Sequence, residues 1–312
     1  MGKTSFLLQL PALLPGHTIP VFLDLQRPAA TQTPASFFYR IARGISRDAR
    51  PYRVIISMPE KKQFESSPFE AFEDWLEDVC LPALKDFNLL LTFDEFEKLG
   101  QAIEKGKLGT DVLDELRTLI QHETKMAFLF AGVQTLEALG PNASSYFINV
   151  SPMPISYLKP EEARELITDP DSQAEFTLTY EETVITRITE ITRCHPYLVQ
   201  LVCSALVEAA NAAETSRADM PLLEKAIRHA LEQGELYFRN VWDETAGPDG
   251  QPLLRKIAAS ETPIGFEEAG VQAALSRMVK HRVLTLHENG TYEVEVPPIR
   301  QWVTGFAPVN EE

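Results

Sequence analysis

Apolar and polar positions change their period repeatedly along the chain, and each change predicts an element. Phe6, Leu7, Leu8, Leu10, Leu13 and Leu14 predict a helix over residues 3–14, closed by Pro15-Gly16. Ile19-Pro20-Val21-Phe22-Leu23-Asp24-Leu25 predicts a short strand. Helices are expected over residues 35–45 and 69–87, with a polar loop over 50–67 between them. Leu89-Leu90-Leu91-Thr92-Phe93 is a continuous apolar run of the kind found in strands buried on both faces. A helix over 111–122 leads to a strand over 127–131. A further strand over 154–158 precedes a helix over 160–167. Apolar strands alternating with helices predict a parallel sheet covered on both sides, a three-layer α/β core.

Past Pro170 the strand signal ends. Helical patterns over 181–193, 196–213 and 221–242 form an α-helical block, and the turn-rich residues 246–250 read as a linker. The last sixty residues predict helices over 252–259, 266–271 and 272–281, then strands over 283–286 and 292–296. His287-Glu288-Asn289-Gly290 joins those strands, and Asn-Gly is a strong hairpin signal. Three helices and a hairpin make a winged-helix pattern. The expected domains are a core over 1–159, a helical lid over 160–246 and a winged-helix domain over 251–306.

Composition narrows this picture. The chain has 312 residues, 44% of them hydrophobic and 24% charged, enough to bury a real core. No apolar run approaches the ~18–20 residues of a membrane span. The apolar start lacks a basic segment and a cleavage site, so no signal peptide is read there, and a cytoplasmic location with no membrane partner is expected. Residues 1–159 carry 16 basic and 19 acidic side chains, a net of −3; residues 160–250 carry 7 and 18, a net of −11; residues 251–312 carry 6 and 8, a net of −2. No segment has the basic footprint of non-specific nucleic-acid binding. Cys80, Cys194 and Cys203 form no CxxC pair and read as small buried hydrophobes.

Two short motifs carry chemistry. Gly2-Lys3-Thr4 opens the first helix. In a phosphate-binding loop, backbone N–H groups and the helix N-terminus cradle phosphates, Lys reaches the terminal phosphates, and the Thr hydroxyl binds magnesium. The strand over 89–93 ends in Asp94-Glu95. An Asp at a strand's C-terminal end can serve magnesium, and the following Glu can polarise an attacking water. The plain alternative for the second motif is a strand followed by a solvated acidic helix start, with Glu97 and Lys98 continuing the charge.

The order of these pieces resembles the bacterial and archaeal AAA-like ATPases grouped with the STAND branch of P-loop NTPases. It runs from the Gly-Lys-Thr helix through Leu-Leu-Thr-Phe-Asp-Glu-Phe-Glu to a strand ending Phe130-Ala131-Gly132. It continues with Ser144-Ser145-Tyr146-Phe147, Leu158-Lys159-Pro160-Glu161-Glu162-Ala163 and Thr192-Arg193-Cys194-His195-Pro196-Tyr197-Leu198. The resemblance covers nearly the whole chain. It implies ATP or ADP with Mg2+ as cofactors. Gly2, Lys3 and Thr4 would bind nucleotide, Thr4 and Asp94 would serve the metal, and Glu95 would activate water. Gln134 would stand near the terminal phosphate as a polar sensor, and His195 and Pro196 would contact nucleotide from the lid. The alternative for His195-Pro196 is a capping residue with proline in the first helical turn. The family often has glycine where this chain has Cys194. Arg40, Arg43 and Arg164 are arginine-finger candidates only as arginines.

The family's sheet has a strand before the phosphate loop. The resemblance therefore implies a core whose first strand is missing and a Met1 that is an internal methionine of a longer protein. The implied function is a nucleotide-switched signalling ATPase of slow turnover, with protein partners or an upstream effector domain and nucleotide-dependent homo-oligomers. The alternatives are a DNA-directed ATPase acting through the winged helix, where Arg277, Lys280, His281 and Arg282 would read DNA, and a non-catalytic scaffold. Acidic Glu288, Glu293 and Glu295 weigh against DNA.

Overall fold

The computed structural model describes residues 2–132, 146–153, 155–170, 177–266 and 269–308. These form two compact units that divide between Ile155 and Ser156.

In the first unit, helix α1 (Lys3–Leu13) leads to strand β1 (Thr18–Asp24). Helix α2 (Pro34–Asp48), short helix α3 (Lys61–Ser66) and helix α4 (Pro68–Trp75) follow. A wider π-type turn over Leu76–Cys80 joins α4 to α5 (Leu81–Leu84). Strand β2 (Asn88–Asp94), helices α6 (Glu97–Glu104) and α7 (Asp111–His122), and strand β3 (Met126–Phe130) complete the series. The strands form a parallel sheet in the order β1-β2-β3, with Asp24 opposite Asp94 and Phe93 opposite Phe130.

Period-2 alternation sorts the strand residues between two faces. Ile19, Val21 and Leu23 of β1 and Leu89, Leu91 and Phe93 of β2 join the main core with Phe37, Phe38, Ile41 and Ile45 of α2. Phe22, Leu90 and Leu129 turn the other way and meet Leu7 and Leu10 of α1. Helices thus cover both faces, as the apolar strands predicted. Gly44 lets α2 approach β1 closely: a Cβ there would stand 2.9 Å from Leu23 Cδ2 and 3.2 Å from Val21 Cγ1.

In the second unit, helices α8 (Pro160–Thr168), α9 (Glu182–Thr192), α10 (Pro196–Ala212), α11 (Met220–Gln233) and α12 (Glu235–Asn240) form the helical block. A wide turn over Val241–Ala246 leads to α13 (Gly247–Ala259), then α14 (Gln272–Lys280) and α15 (Pro297–Gly305). Strand β6 (Ile264–Gly265) and hairpin strands β7 (Leu284–Leu286) and β8 (Thr291–Val294) make an antiparallel sheet in the order β6-β8-β7. Phe238 and Trp242 from the block share one core with Leu275, Met278 and Trp302 from the tail.

Several expectations are corrected. The loop expected over 50–67 contains α3, because Phe64 is buried against the core and the ring of Tyr39, 5.7 Å away. The strands do not stop at Pro170: β4 (Thr179–Tyr180) and β5 (Arg217–Ala218) form a short parallel pair. Residues 246–250 are not a turn-rich linker. Gly247 takes φ 64, Pro248 occupies the first turn of α13, and Arg277 ties the junction by donating to the carbonyls of Thr245 and Ala246. Residues 155–158 form no strand. A strand exists through its pairing, and here the Leu158 N–H donates to the Cys194 carbonyl while the Tyr157 ring lies beside His195 and under Arg282. The helix expected over 266–271 is a single 3-10 turn, Ala269–Val271, among the described residues.

Candidate functional site

Three strand and helix ends build the site. Gly2 caps α1 with φ 86, a left-handed conformation that glycine adopts without penalty. Lys3 and Thr4 therefore sit in the first turn of α1, where free N–H groups and the helix dipole favour anions. Asp94 ends β2, is only 5% exposed, and accepts the Glu95 N–H on Oδ1 at 3.1 Å. Its other oxygen, Oδ2, accepts the Thr4 hydroxyl at 2.6 Å, across 90 positions of sequence. The two motifs singled out in the sequence are thus in direct contact.

Glu95 follows at φ 56, a left-handed conformation that costs a non-glycine residue about 1–2 kcal/mol. Such a cost persists only where the surroundings impose it. Its carboxyl is held above the usual range, first by burial, then by the charge and hydrogen bond of Glu97, then by Asp94, while Lys3 pulls it down. The plain alternative for this motif places Glu97 in a solvated acidic helix start. Glu97 is instead buried, 8% exposed, and its carboxyl bonds that of Glu95. Its signal in the sequence was its place two residues after Glu95. Gly132, just past β3, leaves room for it, since a Cβ there would collide with Glu97 Oε2.

His195 and Pro196 lie in the second unit, at the start of α10. His195 is the N-cap. Its Nδ1 accepts the Leu198 N–H at 3.4 Å, and Pro196 takes the first turn, so the capping alternative describes their geometry. The ring is 8% exposed and packs 4.9 Å from Tyr157 and 5.8 Å from Tyr237. Burial above all lowers its pKa to about 4, so it is neutral near pH 7. Gln134 lies outside the described residues. Burial pushes the Cys80 and Cys203 thiols up to about 12, which leaves them un-ionised at neutral pH. Among the described residues, no helix is long and apolar enough to cross a membrane.

No family model and no curated protein matches the sequence. Solved structures do match the fold. The Walker-type ATPase PABY2304 of Pyrococcus abyssi superposes with a TM-score of 0.60 at 15% identity, covering 97% of this chain and 87% of that one. The Aeropyrum pernix ORC2 protein, solved as ADPNP-ADP complexes, superposes with a TM-score of 0.50 at 12% identity, covering 97% and 84%. The helix start that carries Lys3 and Thr4 reaches the acid at the end of the middle strand, and the chain shares the fold of the Walker-type ATPase of Pyrococcus abyssi over nearly its whole length.

Proposed function

We propose that this chain is a regulatory ATPase: it binds ATP or ADP with Mg2+ at Gly2, Lys3 and Thr4 and hydrolyses ATP slowly, as a nucleotide-dependent switch. The contact between Thr4 Oγ1 and Asp94 Oδ2 carries the reading. A hydroxyl and a carboxylate oxygen at 2.6 Å are hard donors of the kind magnesium takes, usually with phosphate oxygens and water completing its shell. Magnesium, when bound, would neutralise charge on the phosphates. Lys3 would hold the terminal phosphate as a point charge, and the N–H groups at the start of α1 would orient it. Glu95 would take a proton from the attacking water. Burial raises its pKa, which would make its carboxylate a stronger base than an exposed one. Its hydrogen bond to Glu97, which favours its protonated form, would hold its carboxyl in place.

The tail supports regulatory over DNA-directed use. Its pattern is that of a winged helix with α14 as the recognition helix, yet the arginines that would read DNA are engaged within the chain. Arg277 donates to the Thr245 carbonyl at 2.8 Å and pairs with Asp249 at 2.5 Å. Arg282 pairs with Glu295 at 3.0 Å, donates to Ser156 at 2.6 Å and lies 4.1 Å over the Tyr157 ring. Protein contacts are therefore preferred as partners, with nucleotide-dependent self-association among them.

Calorimetric titration with ATP and magnesium tests the reading. Lys3→Ala and Thr4→Ala should each weaken binding at least tenfold. Glu95→Gln should keep binding and lower turnover by ~10²-fold or more. A wild-type chain that binds no ATP at millimolar concentration would overturn the proposal.

A further inference from the structure

A second feature of the first unit has no part in that site. At the outer edge of the sheet, where β1 ends, a cavity of about 180 Å³ opens between β1 and α2. Leu25, Ala30 and Phe37 are among its lining residues, with one carboxylate, Asp24, and four arginines: Arg27, Arg40, Arg43 and Arg47. Neither Lys3, Thr4, Asp94 nor Glu95 lines it. Arg40, Arg43 and Arg47 fall at i, i+3 and i+7 of α2, which places them on one helical stripe. The rise of ~1.5 Å per residue makes that stripe ~10 Å long. Arg27 faces it from the turn after β1.

The charges do not balance. Arg27 pairs with Asp24 at 3.2 Å and Arg47 with Asp48 at 2.5 Å. Arg40 and Arg43 have no ion pair among the described residues, in a chain whose net charge is −16. Arg40 is half-buried, and its pKa is lowered first by burial and then by the charges of Arg27 and Arg43, with Asp24 opposing. Four guanidinium groups against two carboxylates repel one another, and an anion in the cavity would relieve that repulsion. Arginine presents planar donors that match phosphate oxygens in pairs. The four converge on one concave site instead of tracking across a flat surface, which fits a compact ligand better than a polymer backbone.

We propose that this cavity is a second anion site, which takes a small molecule carrying two or more phosphates, held chiefly by Arg40 and Arg43. The test is calorimetric titration of the full chain at low salt with inorganic tripolyphosphate and no magnesium. Wild type, Lys3→Ala and Arg40→Gln/Arg43→Gln are compared, with circular dichroism to confirm folding. Lys3→Ala should lose only the phosphate-loop site and keep a second site, whose affinity falls at least tenfold in the double variant. If the double variant does not fold, Arg43→Gln, at an exposed position, should lose at least threefold. No binding by wild type, or loss confined to Lys3→Ala, would overturn the proposal. So would a single-stranded oligonucleotide that binds tenfold more tightly than tripolyphosphate through the same arginines.

Discussion

Thr4 and Asp94, 90 positions apart, share a 2.6 Å hydrogen bond from the Thr4 hydroxyl to the Asp94 carboxylate. Asp94 is buried, so its carboxylate oxygens need hydrogen-bond donors from the chain. Thr4→Val removes the donor and keeps the shape. It should cost about 1–3 kcal/mol of stability, whereas Thr4→Ser should cost less than ~1 kcal/mol. Urea denaturation of the three proteins at neutral pH checks this. Equal midpoints for Thr4→Val and wild type would show that the contact contributes nothing to the fold.

Glu115, on α7, has a half-buried carboxyl with an oxygen, Oε1, that finds no hydrogen-bond partner among the described residues. Burial, and then the charge of Glu73, raises its pKa to about 7. For a carboxyl raised in the folded state, the native chain holds a proton that the unfolded chain releases. The associated stability is complete below the unfolded value near 4.5 and is lost as pH rises to about 7. At ~1.4 kcal/mol per pKa unit, the loss is at most about 3.5 kcal/mol, less whatever solvent screens. Glu115→Gln should flatten the dependence of the urea midpoint on pH between 5 and 8.

His195 runs in the opposite direction. Its pKa falls to about 4, so the native chain prefers the neutral ring. The stability it contributes is present above the unfolded value of 6.5 and is lost as pH falls from there to about 4. His195→Ala should remove both the cap on α10 and this acid sensitivity, costing about 1 kcal/mol at pH 7 for the cap alone. His195→Asn should restore most of the cap without the acid sensitivity. Thermal midpoints at pH 5 and pH 7.5 separate the two contributions.

Arg277 binds two carbonyls and a carboxylate at the junction before α13. Arg277→Met keeps much of the apolar stem and loses all three bonds, two of which accept on backbone oxygens. A loss of about 2–3 kcal/mol is expected. Lys280→Ala, on the same helix, should cost less than Arg277→Met. Proteolysis near residue 247 should accelerate in the Arg277 variant, and an unchanged cleavage rate would contradict the role assigned to it.

Local periodicity alone determined much of this protein. Helix α7 falls on the predicted residues 111–122, and β1, β2 and β3 lie within one residue of their predicted spans at each end. Those elements are apolar on faces set by periods of 3.6 and 2, which is information carried by neighbours in sequence. Gly2-Lys3-Thr4 and Asp94-Glu95 were legible for a similar reason, since each is a short run whose chemistry follows from residue type and spacing. The Cys194 position before His195-Pro196 takes φ 58, where glycine would be unstrained.

Only the tertiary structure decided the rest. Nothing in the spacing of Thr4 and Asp94 says that they touch; the parallel order of the sheet brings the end of β2 to the start of α1. Glu97 looked solvated because burial of a carboxyl depends on what packs over it, here Gly132 and Glu95 from other turns of chain. Residues 155–158 are apolar enough for a strand, but pairing and not composition makes one, and Leu158 found the Cys194 carbonyl instead. The four arginines around the cavity beside β1 were scattered charges in the sequence. The helical rise of α2 lined up three of them, and its close packing on β1 at Gly44 brought these to Arg27, in the turn after β1.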